Sequence, residues 1–381
     1  MNLSAPRSVR VSNGSRFSAA AVGLVASIYL HFLIFAQFGF LQGIRAAGHP
    51  GEAIHRVLGA MALAGIATSL ATAFALHRRD ARWTSVIGFA LAAAAGGLAA
   101  LAFARPATPH SLLLVIALLT GAGLGACTVS AALLVRRFTG GYALGLHVGA
   151  GTGLAYLVCN IPAVFTATPA ATGWISAAAA LAGLGFTLAG GMATAASPEN
   201  PYTGFVSRRV VAMAALGFLA LVWFDSAAFT AVQNSPDLRA LAWSGPRTLW
   251  TIGATHALAA LVAGLLIDRG AFRAMLVAAF VLLAAGHFGF GSRGAALWAA
   301  PAYAAGVSLY STALAVFAAL GPADAGMRPA WRAAWVYALA GWVASGAGVG
   351  LAEQFGRVPL WAAPSAALVL AVALVQLQPA R

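Results

Sequence analysis

Twelve stretches of about 20 apolar residues, the length a helix needs to cross a bilayer core of about 30 Å, follow one another along this chain. Short loops carrying arginine part them. Only helices and closed barrels hide their backbone polar groups from lipid. The runs are continuous and do not alternate like barrel strands. Helices are therefore expected over 17–42, 53–76, 83–105, 110–135, 142–166 and 171–193, then 209–234, 247–267, 272–290, 295–320, 331–352 and 358–378. The apolar run behind Arg7, Arg10 and Arg16 is too long for a signal-peptide core and reads as a retained first span.

Composition supports this reading. Hydrophobic residues make up 61% of the 381 positions and charged ones 8%, whereas soluble domains carry about 25% charged residues. So few charges cannot cover a soluble surface of this size. The net charge of +14 is all arginine, and it sits in inter-span clusters, not on one continuous basic face. That pattern argues for cytoplasmic retention of the loops between even and odd spans, with both termini cytoplasmic, and against a nucleic-acid partner. Cys127 and Cys159 lie apart in apolar runs and read as free thiols.

A shift of 191 residues lays Gln42 on Gln233, Arg56 on Arg247, Arg78 on Arg269, Arg82 on Arg273 and Arg137 on Arg328, and span on span. Six-span repeats related by an axis along the membrane normal are a known transporter plan. The polar stretch 194–208, with Pro198 and Pro201, reads as the linker. The expected organisation is a six-helix bundle over 1–193, a cytoplasmic linker over 194–208 and a second bundle over 209–381.

Between spans eight and nine stands Gly264-Leu-Leu-Ile-Asp268-Arg269-Gly-Ala-Phe-Arg273. It resembles the G-x-L-x-D-R-x-G-R signature of the major facilitator superfamily, with Ala271 in place of a glycine. The first-half copy keeps Arg78 and Arg82 but has His77 where the aspartate belongs. The resemblance implies an all-α membrane protein of 12 transmembrane helices in two pseudo-symmetric six-helix bundles. It also implies a loop that gates the cytoplasmic side by charge pairing (Asp268, Arg269, Arg273, and Arg78 with Arg82), and first helices of each half that line a central cavity. Gly145, Gly149, Gly151 and Gly153 loosely resemble the glycine-rich fifth-helix motif of that superfamily. They equally suit close helix packing.

Charges inside spans are costly and mark either function or a structural pair. Asp225 of span seven is the outstanding case. It lies past the midplane from Arg209, and an acid there can load and release a proton, contact a cation, or pair with a basic neighbour. His31 falls on Val222 in the repeat, one turn before Asp225, and Gln37 follows on the same helix. His147 and His256 are further cavity candidates, with packing as the alternative for each. Arg56 and Arg247 begin spans two and eight, where they would draw an anion to a cavity mouth or snorkel to headgroups.

The sequence therefore points to a non-enzymatic secondary transporter of a small solute in a bacterial inner membrane, working by alternating access as a monomer, with proton coupling through Asp225 as a hypothesis. A small organic anion is expected over a cation. A non-transporting assembly or accessory factor, or a copper carrier, is the alternative, although no His or Met pair has metal-ligand spacing on one helix face. No cofactor and no resident metal are expected. A polar cavity converging on spans one, two, seven and eight would favour the transporter.

Overall fold

The computed structural model describes residues 18–105, 107–190, 207–291, 295–320 and 329–377. Arg7, Arg10, Arg16, Arg293, Arg328 and Arg381 lie outside them, as does the expected linker apart from Ser207 and Arg208. Ten helices are long and apolar enough to span a membrane, and two shorter apolar helices complete a set of twelve. No strand occurs among the described residues.

The first half holds α1 (Ala19–Ala46), α2 (Gly51–Ala75), α3 (Ala81–Phe103), α4 (His110–Thr139), α5 (Leu144–Cys159) and α6 (Pro169–Ala189). The second holds α7 (Arg208–Asn234), α8 (Gly245–Asp268), α9 (Phe272–Gly289), α10 (Ala296–Ala319), α11 (Pro329–Phe355) and α12 (Ala362–Gln376). α3 begins at Ala81 and α9 at Phe272, the offset of the sequence repeat. The chain is a multi-pass membrane protein.

Local chemistry sets the helix ends. Ser18, Asp80, Thr168 and Ser207 each cap a helix by accepting a backbone N–H through the side chain. Gly140, at φ 62°, closes α4 in the left-handed conformation that glycine adopts at little cost. The expected fifth span, 142–166, breaks after Cys159. Pro162 cannot donate a backbone hydrogen bond, so the chain turns at Asn160 and resumes as the short helix Pro162–Phe165. A further short helix, Pro236–Trp243, follows α7 unforeseen, started by Ser235 accepting from the Leu238 N–H at 3.3 Å.

Lipid offers no hydrophobic drive between helices, so small residues carry the packing. Gly121 and Gly125 of α4 press on the α2 backbone at Met61 and Gly65, and Gly96 of α3 faces Gly173 of α6. The same device joins the halves. Gly145 and Gly149 of α5 abut Gly264 and Ala260 of α8 so closely that an added β-carbon at any of the three glycines would overlap backbone. The fifth-helix glycines are thus close-packing positions. α2 packs against α11 on the other side, where the Trp342 ring covers Gly65.

Candidate functional site

Between the halves lies a cavity of about 260 Å³. Its walls come from α1, α4, α5, α7, α8, α10 and α11, joined by Thr172 of α6 and by residues of both short helices. The convergence on spans one, two, seven and eight needs correcting, because no residue of α2 reaches the wall. α2 is held off by its glycine contacts with α4 and by Trp342, which presents its own ring to the cavity. Both α1 and α11 widen into i→i+5 turns where they pass the cavity, over His31–Gly39 and Tyr337–Ala344. Such π-helical turns are rare and concentrate at functional sites.

Asp225 lies on α7, 6% exposed, and lines the cavity. Both of its carboxylate oxygens accept hydrogen bonds, one from the hydroxyl of Tyr303 and one from that of Tyr310. These tyrosines sit seven residues apart on α10, two turns on one face, so they bracket the carboxylate. Tyr303 also donates to the Asp225 carbonyl at 3.2 Å. Among the described residues, Asp225 is the one acid in the cavity wall and no arginine joins it.

Aromatic groups continue the wall. Tyr156 stacks on His256 with ring centroids 4.2 Å apart and planes 4° from parallel. His256 Nδ1 meets Ser308 Oγ at 2.8 Å, and Tyr156 donates to Ser311 Oγ at 3.4 Å. Tyr29 donates to the Ser311 carbonyl at 2.9 Å. Five of the chain's seven tyrosines (Tyr29, Tyr156, Tyr303, Tyr310 and Tyr337) line this one space.

Of the sequence-derived candidates, Asp225, Gln37 and His256 meet in the cavity. The others lie elsewhere. His31 is buried against α6, its Nδ1 2.6 Å from Ser176 Oγ. The face of α1 that lines the cavity carries Tyr29, Phe32 and Leu33, and His31 points away from it. His147 stitches α5 to the start of α1: its Nδ1 pairs with the Ala143 carbonyl at 2.8 Å and its Nε2 accepts the Ser18 N–H at 3.0 Å. Arg56 and Arg247 are exposed and outside the cavity wall. The tilt toward an anion therefore loses the arginines on which it rested.

In the gating loop, Asp268 accepts from the backbone N–H groups of Gly145 at 2.7 Å and Leu146 at 2.9 Å, in the first turn of α5. Its partner is a helix N-terminus, a seat for negative charge. Arg269 is exposed and Arg273 half-buried. Arg82 stays within its half, donating to the Gly190 carbonyl above the Phe138 ring, and Arg78 is exposed. The ion pair of the first half is Asp80 with Arg137 at 3.0 Å, a pairing the sequence did not suggest. The cavity tyrosines were also missed. The seven-residue spacing of Tyr303 and Tyr310 in an otherwise apolar span was the signal available.

Two repeated six-helix halves around a central cavity make up the fold of the major facilitator superfamily, and this chain has that fold. It is similar in structure to the superfamily's proton:xylose symporter XylE, with a TM-score of 0.66, 12% identity and 94% of each chain covered. It is similar to the nucleoside transporter NupG, with a TM-score of 0.54, 13% identity, and 94% of this chain and 100% of that one covered. The human organic anion transporter MFSD10 gives a TM-score of 0.60 and 14% identity, over 94% of this chain and 98% of that one. No protein-family model and no curated protein matches the sequence. At these identities the likeness is one of fold.

Proposed function

We propose that this chain is a secondary transporter carrying a small solute by alternating access, with Asp225 as its proton-coupling acid. The observation that carries the reading is Asp225 itself: one carboxylate in the wall of a cavity between two repeated halves, seated on two tyrosine hydroxyls. A buried acid is expensive unless it is used or paired, and no ion pair to Asp225 exists among the described residues. Support for transport comes also from the neighbours in fold, which are named as carriers of xylose, nucleosides and organic anions.

In this reading the halves 1–193 and 209–381 rock about the cavity, exposing it to one side and then the other. Asp225 binds a proton when the cavity faces one compartment and releases it to the other. Tyr303 and Tyr310 hold the carboxyl in place throughout and solvate its charged form, so the proton can leave without exposing a bare anion to apolar walls. The arginine bias of the loops supports cytoplasmic termini in a bacterial inner membrane.

The test uses the full chain in proteoliposomes with a trapped pH indicator and a panel of solutes. At least one solute is expected to move protons. Asp225→Asn should stop the proton movement, while exchange of that solute for itself persists once the solute concentration is raised. Undiminished proton movement in Asp225→Asn would remove Asp225 from the coupling. A panel without any solute movement would remove transport.

A further inference from the structure

The chemistry of the cavity wall goes further than its shape and names a class of cargo. Asp225 is the acceptor in both of its tyrosine contacts, because each phenol O–H donates to a different carboxylate oxygen. A carboxylate has about four lone-pair sites on its two oxygens, so roughly two remain open. Nothing basic takes them. Among the described residues no arginine lines the cavity, and the one histidine in its wall turns Nδ1 to Ser308 and its ring face to Tyr156; the chain has no lysine. A buried carboxylate of this kind lacks its counter-charge.

The rest of the wall indicates what kind of counter-charge fits. Tyr29, Tyr156, Tyr310, Phe32 and Trp342 supply aromatic faces, and such faces attract cations electrostatically while sheltering apolar groups. A small hydrated metal ion would exchange its water for poor oxygen ligands here, and no group of three or more His, Cys, Asp or Glu among the described residues could hold one. An organic anion would meet a carboxylate and the negative faces of aromatic rings, with no guanidinium or ammonium to receive it.

We infer that the cavity binds a compact organic cation, a protonated amine or quaternary ammonium on an apolar or aromatic body, with the cationic head on Asp225 and the body among the tyrosines. This rests on the carrier reading above for its purpose but not for its test. The cation and a proton compete for the same carboxylate, so binding of one displaces the other.

The probe is benzyltrimethylammonium, which keeps its charge at every pH, titrated calorimetrically into the purified full chain in detergent. Phenylacetate, of similar size and opposite charge, is the comparison. The cation is expected to bind at least about tenfold tighter than phenylacetate, a difference of about 1.4 kcal/mol. Affinity should fall on acidification. Asp225→Asn should weaken cation binding about tenfold or more, and Tyr156→Leu should weaken it severalfold by removing one ring face. Tyr156→Leu leaves the carboxylate untouched, so it still tests the inference should Asp225→Asn fail to fold.

Equal or tighter binding of phenylacetate, no saturable binding of the cation, or unchanged affinity in both variants overturns the inference. Cation binding without flux in proteoliposomes would sink the carrier reading and leave the binding site standing. Proton-coupled flux of an uncharged or anionic solute, with no cation binding, would do the reverse.

Discussion

The two seams that join the halves are built from corresponding helices of the repeat, yet they are held differently. Where α5 meets α8, backbones touch through Gly145 and Gly264, and Asp268 takes two N–H groups of the α5 first turn. Where α2 meets α11, His77 occupies the position of Asp268 and accepts a hydrogen bond from Trp331 Nε1 at 3.1 Å on an exposed surface. At the other end of that seam, His55 and Glu353 approach to 2.8 Å, with the histidine side chain 61% exposed. Hydrogen bonds to a charged group contribute about 1.5–3 kcal/mol, while exposed ion pairs contribute about 0–1. One copy of the loop keeps a firm tie between halves, and the other has exchanged it for a weak one. Sequence drift within a duplication can thus give one seam a hinge-like grip and leave its twin easy to part.

The two seams should differ most at the glycines. Gly264→Leu should force α5 and α8 apart, costing about 1–3 kcal/mol as overpacking does, and lower the melting temperature in detergent. Gly59→Leu on α2, where an added side chain meets open space, should leave melting nearly unchanged. Equal melting of the two variants would mean that the glycine contact does not hold the α5–α8 seam. Next in size is Asp268→Asn, which replaces a charged acceptor of two N–H groups by a neutral one with a single oxygen. A loss of about 1–2 kcal/mol is expected, read by chemical or thermal unfolding.

His77→Asp sharpens the contrast from the other side. It restores the acid at the start of α11, where the helix dipole favours negative charge by about 0.3–1 kcal/mol. A small rise in melting temperature is expected, together with slower opening of that seam. His55→Ala should be the smallest effect, below about 1 kcal/mol and weaker still in high salt. A loss as large as that from Asp268→Asn would mean the two seams are equally tight.

Much of this fold was legible because the bilayer imposes a length, and twelve apolar runs of that length could be counted. The break in α5 was hidden inside a run whose apolar residues resume straight after Asn160 and Pro162. Asp225 stood out because an acid in an apolar helix has few reasons to be there. Its depth could be read from the sequence, and so could that of His31, but the direction in which a side chain faces could not. His31 turns to Ser176 on α6 while Tyr29 and Phe32, close by, face the cavity. Arg56 and Arg247 matched each other in the repeat and invited an anion-binding role, yet both face outward. The tyrosines passed unnoticed because a phenol in a membrane helix reads as ordinary apolar bulk until its hydroxyl finds a partner. Tyr303 and Tyr310 acquire meaning only across the gap between α10 and α7.

If the chain is an alternating-access carrier, one cavity, holding Asp225, opens to both sides of the membrane in turn. Ser226 stands beside Asp225 in the cavity wall, its hydroxyl donating to Ser345 Oγ at 3.1 Å. With Cys127→Ser and Cys159→Ser as background, Ser226→Cys supplies a single thiol to label with a membrane-impermeant maleimide in right-side-out and inverted vesicles. Labelling from both sides, slowed from both by bound solute, is the predicted result. Labelling from one side alone, or from neither, would mean that the cavity does not alternate.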